Sequence, residues 1–286
     1  MKKILYALIT LLAFTSCAKS YDIQGTSNIS NLDGRKLYLK GGSADTLITL
    51  DSCEVVHGEF SFTGTLDSVQ VAQVYMDDMN LQFPLVLEEG NIHLKLDNTQ
   101  LNVSGTPLND KLNTFWKKFT QLRNQYVEID HEEGAAIMNG HDEQATDARL
   151  IKKALQVYAN IDKLFTAFVT ENFDNALSPW GFLTRVSYDM TPNAYPVWMN
   201  DYLYMNAISQ LPSWVEFIIA KAPDSFKANS AIKDFYENFQ RAQKEMNGME
   251  MPAQEPMQTG MAETPNSDIV PPTPAEMAGD TLTARQ

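Results

Sequence analysis

Cysteine is nearly absent from this chain: Cys17 and Cys53 are the only two in 286 residues. No CxxC pair exists, so sequence neighbours supply neither a dithiol redox centre nor a cysteine-based zinc site. The four histidines, His57, His93, His131 and His141, never recur three or four apart, the spacing that puts two imidazoles on one helical face. A P-loop, a GxGxxG turn and a GxSxG elbow are missing too. Positive charge is scarce: 22 Lys and Arg stand against 36 Asp and Glu, a formal charge of −14. A surface of that sign repels nucleic-acid phosphates and anionic headgroups, which argues against either as a partner. After Phe14 no run is long and apolar enough to span a bilayer, which takes about 20 residues.

What is present begins at the N-terminus. Lys2 and Lys3 precede an apolar run from Ile4 to Phe14, broken only by Thr10, and Thr15-Ser16-Cys17 follows. Charged, apolar and small residues in that order make a secretory signal, too short to span a membrane. Its end resembles the cleavage site of bacterial lipoproteins, with Phe14 where Leu is usual. The resemblance implies a signal over residues 1–16, a lipidated Cys17 and a short tether over 17–20. The thiol would take a diacylglyceryl group, and several acyl chains at about 0.8 kcal/mol per buried CH₂ give stable attachment. Loss of Lys2 and Lys3 takes the 22 cations to 20 and the charge from −14 to −16. No acidic cluster follows Cys17, which favours an inward-facing, periplasmic position; the location expected is the outer membrane, facing the periplasm.

From residue 21 to 105 the pattern is that of strands. Lys36–Lys40, Glu59–Thr63 and Asn91–Leu96 alternate polar and apolar, giving one buried and one wet face. Asp33-Gly34, His57-Gly58 and Glu89-Gly90 are expected to join neighbouring strands as hairpins, and Gly41-Gly42 to form a turn. Residues 106–245 read as helices. Thr106-Pro107 is the expected start of the first, with Leu112, Phe115, Phe119 and Tyr126 along one stripe. Asp130–Glu143 is the expected loop before a second stripe of Ala148, Ile151, Leu155, Tyr158, Ile161, Phe165 and Phe168. Ser178-Pro179 and Leu211-Pro212-Ser213 read as further helix starts, and Ile232, Phe235 and Phe239 mark the last helix. Residues 246–286 are rich in Pro and Met, without an aromatic residue, and are expected to be a disordered acidic tail. The fold class expected is α+β: an antiparallel sandwich or barrel-like β domain, then a helical domain.

Several segments then resemble a known family in their order. Tyr21–Gly25, Gly34–Leu39, Asp51–Gly64, Leu87–Ile92 and Ser104–Asp110 look like the successive motifs of a 4369-type domain of unknown function from Bacteroidota lipoproteins. In that family the domain precedes a thioredoxin-like domain working as an envelope thiol–disulfide reductase. Asn172–Arg241, with Ser187-Tyr188-Asp189-Met190-Thr191-Pro192, resembles the family's helical connector. Where the resemblance would place the reductase domain, this sequence has its Pro-rich segment and no CxxC. It therefore implies the accessory part alone.

The remaining chemistry is thin. Cys53 is the one thiol available for a mixed disulfide, or else a small core residue. The carboxylate pairs Asp77-Asp78, Glu88-Glu89 and Glu132-Glu133 read as solvated turns and edges. Trp116, Trp180, Trp198 and Trp214 read as core. Asp45-Thr46-Leu47, Asp67-Ser68-Val69 and Asp280-Thr281-Leu282 match an acidic–hydroxyl–apolar triplet that some Bacteroidota O-glycosylate, which makes Thr46, Ser68 and Thr281 candidate sites. No metal or cofactor is expected. The expected function is a non-catalytic envelope lipoprotein binding a protein or peptide, without nucleic acid. The alternative is an accessory to a thiol–disulfide reductase, using Cys53.

Overall fold

The computed structural model describes residues 19–29, 31–43, 46–76, 81–97, 102–191 and 194–248. Cys17, the signal segment, Asp77-Asp78 and the tail with Thr281 lie outside them. Residues up to Gln240 make one compact unit, and those from Arg241 onward belong to a second.

Eight strands come first: β1 Lys19–Ser27, β2 Lys36–Ser43, β3 Thr46–Glu54, β4 Glu59–Leu66, β5 Gln70–Met76, β6 Leu81–Leu87, β7 Gly90–Leu96 and β8 Asn102–Ser104. They form two four-stranded sheets, ordered β4-β1-β7-β8 and β3-β2-β5-β6. Pairing is antiparallel except between β1 and β7, which run parallel with Ile23 opposite Ile92. The alternation read from the sequence is realised in the packing: Ile23, Phe62, Ile92 and Leu94 from one sheet share a core with Leu37, Leu39, Val74 and Leu85 from the other. Burying each such side chain contributes about 1.5–3 kcal/mol. In the β1–β4 pair each aromatic faces a glycine. Phe60 lies opposite Gly25 and Tyr21 opposite Gly64. A Cβ on Gly25 would sit 2.1 Å from the Phe60 ring, so the ring occupies the space the glycine leaves open.

The three glycine turns are not hairpins within a sheet, as the sequence suggests. Asp33-Gly34, His57-Gly58 and Glu89-Gly90 lead from β1 to β2, β3 to β4 and β6 to β7, and each pair of strands lies in different sheets. β1 is inserted between β4 and β7, so the chain must turn a corner at each of these points. His57 (φ 54°) and Gly58 (φ 75°) both take the left-handed conformation that so tight a corner demands. Gly41 and Gly42 are likewise not a turn but part of β2, where Gly41 leaves room for the Leu50 side chain of β3.

Helices follow: α1 Pro107–Met138, α2 Glu143–Glu171, α3 Leu177–Met190, a 3₁₀ turn Val197–Met199, α4 Asn200–Lys221, α5 Asp224–Lys227 and α6 Ser230–Gly248. The segment expected as a loop from Asp130 is helical to Met138. Ala135 and Ala136 are strong helix formers, and Glu132 on α1 pairs with Arg149 and Lys153 on α2. The chain reverses only at Asn139–Asp142, where the Asp142 carboxylate accepts from Ala145 N at 2.8 Å. Pro212 does not begin a helix but lies inside α4. Leu203, Ala207, Leu211, Val215 and Ile218 bury one stripe on both sides of it, and that burial outweighs the proline's cost of about 3 kcal/mol. In α2 the buried face is Leu150, Ala154, Val157 and Ile161, leaving Ile151 and Leu155 at its margin.

Helix α1 is fixed to the sheets at its first turn. Pro107 stands at N1 behind Thr106, as its sequence suggests, but the cap comes from elsewhere. Glu88 accepts from Leu108 N at 2.7 Å and from Asn109 N at 3.1 Å. Asn109, fully buried, accepts from Val86 N and donates to Val86 O, both at 2.8 Å, and donates to Thr106 Oγ1 at 2.8 Å. Its amide thus occupies the free edge of β6 as another strand would.

Candidate functional site

A hollow of about 670 Å³ lies at the seam where β3 passes into β4. Strand alternation builds its floor. Gln24, Thr26, Ser61, His93 and Lys95 are the outward positions of β1, β4 and β7, so the face that the core does not use is polar. The β3–β4 corner supplies the wall: Cys53, Glu54, His57 and Glu59. Two carboxylates, two imidazoles, one ammonium and one thiol therefore meet at an open concave surface.

Cys53 stands opposite Leu37 in β2 and is half-buried, the one free cysteine among the described residues. Burial pushes its thiol up to about 11; the nearby Ser61 backbone works against that, and the Asp51 carboxylate adds to it. A thiol kept protonated at neutral pH is a poor nucleophile. His57 and His93 both face the hollow, yet no group of three or more metal-binding side chains exists among the described residues.

The other sequence candidates are dispersed. Ser68 is exposed in the β4–β5 turn, and Thr46 begins β3, pairing with Ser43 of β2. His131 lies within α1, not beside a loop. Glu88 is not a solvated turn carboxylate but a buried helix cap, and Glu132 is an exposed ion-pair partner. Trp116 and Trp180 join Phe115, Phe119 and Phe168 in one aromatic cluster. Trp214 is buried, with Nε1 donating to Thr166 Oγ1 at 2.8 Å.

Sequence reading missed a second polar cluster, inside the helices. Arg185 and Asp189 of α3 are 1% and 0% exposed, and Nε donates to Oδ2 at 2.7 Å. Arg185 Nη2 donates to Tyr158 Oη at 2.8 Å and pairs with Asp162 at 3.2 Å. Arg185 Nη1, Asp189 Oδ1 and Tyr126 Oη have no partner among the described residues. Burial also pushes the Tyr188 hydroxyl up to about 12. The available signal was the Ser187–Pro192 segment, which holds both Tyr188 and Asp189.

Residues 21–112 match the family described as a domain of unknown function (DUF4369). The match takes in all eight strands from Tyr21 onward and ends at Leu112, inside the first turns of α1. It therefore includes the Glu88–Thr106–Asn109 junction. No curated protein matches the chain.

Proposed function

We propose that this chain is a non-catalytic lipoprotein of the cell envelope, anchored through Cys17 to the outer membrane on its periplasmic side, and that the seam hollow binds a polypeptide partner. The observation that carries the reading is the hollow itself. It is open, its groups are of mixed chemistry, and its one thiol is held protonated. Such a surface offers hydrogen bonds and charge to a ligand without an activated nucleophile. Strand pairing begins at Lys19, so an anchor on Cys17 leaves only Ala18 before β1. The sheets would then stand at the bilayer surface, not at the end of a long tether.

In-cell chemical crosslinking, with partners identified by mass spectrometry, tests this, with Cys53→Ser as the control. A reproducible envelope protein, recovered equally with the control, is the expected result. Recovery of no partner would contradict the reading. One observation favours the second reading, an accessory to a thiol–disulfide reductase: Cys53 lines the hollow and is not fully buried. In that case its sulfur attacks a partner disulfide, forming one S–S bond and releasing the partner's other sulfur as a thiolate. A thioredoxin-like partner, lost with Cys53→Ser, is what that reading requires.

A further inference from the structure

A second hollow, of about 560 Å³, lies between α1 and α2 and shares no lining residue with the seam hollow. Its volume is within the range of about 300–1,000 Å³ usual for small-ligand sites. The two helices run antiparallel. Glu132 pairs with Arg149 and Lys153 near one end, and Lys111 donates to Asn172 Oδ1 at 3.4 Å at the other. Between those ends Phe115 and Phe168 stack with ring centres 4.1 Å apart. Both are buried and form the floor of the hollow, and Leu164 continues its apolar lining. A ligand there must present an apolar body.

The charged groups on its walls are Asp110, Lys111, Lys118 and Glu171. Two of them are engaged. Asp110 accepts from Gly105 N at 3.2 Å. Lys111 is held by Asn172, a buried side chain whose own amide nitrogen is fixed on Phe168 O at 2.8 Å. Lys118 and Glu171 are exposed, and neither takes part in an ion pair or hydrogen bond among the described residues. These two stand at opposite ends of the groove. Phe119 meets Phe165 with ring centres 5.1 Å apart, which sets Lys118 level with Leu164. The Lys111–Asn172 bond sets Glu171 level with the first turns of α1. From Lys111 to Lys118 the helix rises about 10 Å.

We infer that the α1–α2 hollow binds a short apolar peptide with free termini, its carboxylate on Lys118, its ammonium on Glu171 and its side chains on the Phe115–Phe168 floor. Three extended residues span about 10 Å, which is the separation of the two charges along the groove. An apolar anion would satisfy Lys118 and leave Glu171 facing the ligand without a partner, and an apolar amine would do the reverse. A zwitterion with an apolar middle meets both charges and the floor together. An internal loop of a larger polypeptide has no charged ends to offer. The site stands whether or not the seam hollow receives a polypeptide, because the two have no residue in common.

The test is calorimetric titration of the whole chain with Leu-Ala-Leu, its N-acetylated form and its C-amidated form. The free peptide should bind, and each cap should weaken binding about fivefold, the upper end for an exposed ion pair. Lys118→Gln should abolish the preference for a free carboxylate, and Glu171→Gln the preference for a free ammonium. Both positions are exposed, so the variants should fold. Exchanging the charges, Lys118→Glu with Glu171→Lys, should restore binding with the peptide reversed, which a structural role for either residue would not do. Glu54→Lys with Glu59→Lys, at the seam, should leave the titration unchanged. No binding of the free peptide at millimolar concentration, equal affinity for free and capped forms, or a charge exchange that restores nothing would overturn the inference. Loss on amidation with acetylation tolerated would overturn it in favour of an apolar carboxylate.

Discussion

At the scale of single residues, the costliest arrangement is the buried Arg185–Asp189 pair. Charges removed from water are stable only while they are paired, and Asp189, at 0% exposed, has Arg185 as its counter-ion. Asp189→Ala leaves the buried guanidinium with the partly exposed Asp162 as its carboxylate partner and should lower unfolding free energy by about 3–5 kcal/mol in urea titrations. Replacing both partners by Arg185→Met with Asp189→Leu should cost less than that single change. Equal or greater loss in the double variant would show that the pair matters for more than mutual neutralisation. Cys53 makes a second test. With its thiol pushed from an ordinary 9.0 to about 11, labelling by a disulfide reagent at pH 7 should run about a hundredfold slower folded than unfolded. The same shift sets a pH dependence. The Cys53 thiol and the hydroxyls of Tyr126, Tyr158, Tyr188 and Tyr195 are all raised by burial. Above the ordinary values of 9.0 for the thiol and 10.0 for the phenols, the unfolded chain loses protons that the native chain retains. Stability should be intact below about pH 9 and fall as pH rises beyond it, by about 1.4 kcal/mol per unit for each group involved. A melting temperature flat from pH 8 to pH 11 would contradict this.

At the scale of elements, the junction of sheet and helix is the part of the β region with most at stake. Asn109 substitutes for a strand at the β6 edge and Glu88 substitutes for the missing cap of α1. Asn109→Ala strands a buried N–H and C=O of Val86 and should cost about 1–3 kcal/mol, read from the denaturant midpoint. Gly25→Ala, which drives a methyl into the Phe60 ring, should cost a similar amount by overpacking, about 1–3 kcal/mol. These two positions also show how far the sequence was legible. Alternation in β2, β4 and β7 and the stripe of α1 could be read directly, because one face of each is buried and the other wet. Strand partners could not. Alternation says which face is buried, not which neighbour lies alongside, so the three glycine turns looked like hairpins when they are corners between sheets. Pro212 and Asp130 misled for a related reason: local propensity marked ends that tertiary burial and a cross-helix ion pair override. Of the site, Cys53 and the histidines were visible as residue types. Their meeting at the seam was not, since it depends on β1 lying between β4 and β7. Glu88 was visible only as half of an acidic pair, and its role requires Asn109, twenty-one residues later.

At the scale of the whole molecule, the account proposed here joins the acidic composition, the signal-like N-terminus and the polar hollow in a body held at an envelope membrane that receives another polypeptide. The anchor has its own check. Intact mass of the protein from native membranes should equal the chain cut before Cys17 plus a diacylglyceryl group and an N-linked acyl chain, and Cys17→Ala should release the protein into the soluble fraction. No helix among the described residues is long and apolar enough to cross a membrane, so retention after that change would need another attachment. The receiving surface is tested most directly by placing a photo-crosslinking side chain at Gln24, on the floor of the hollow, in the full-length protein in its native cells. The account predicts one predominant protein adduct, mapped to a contiguous extended stretch of the partner and reduced when Glu54 and Glu59 are both changed to Lys. A hollow that yields no protein adduct, or yields the same scattered adducts as an exposed position on α6, would contradict it.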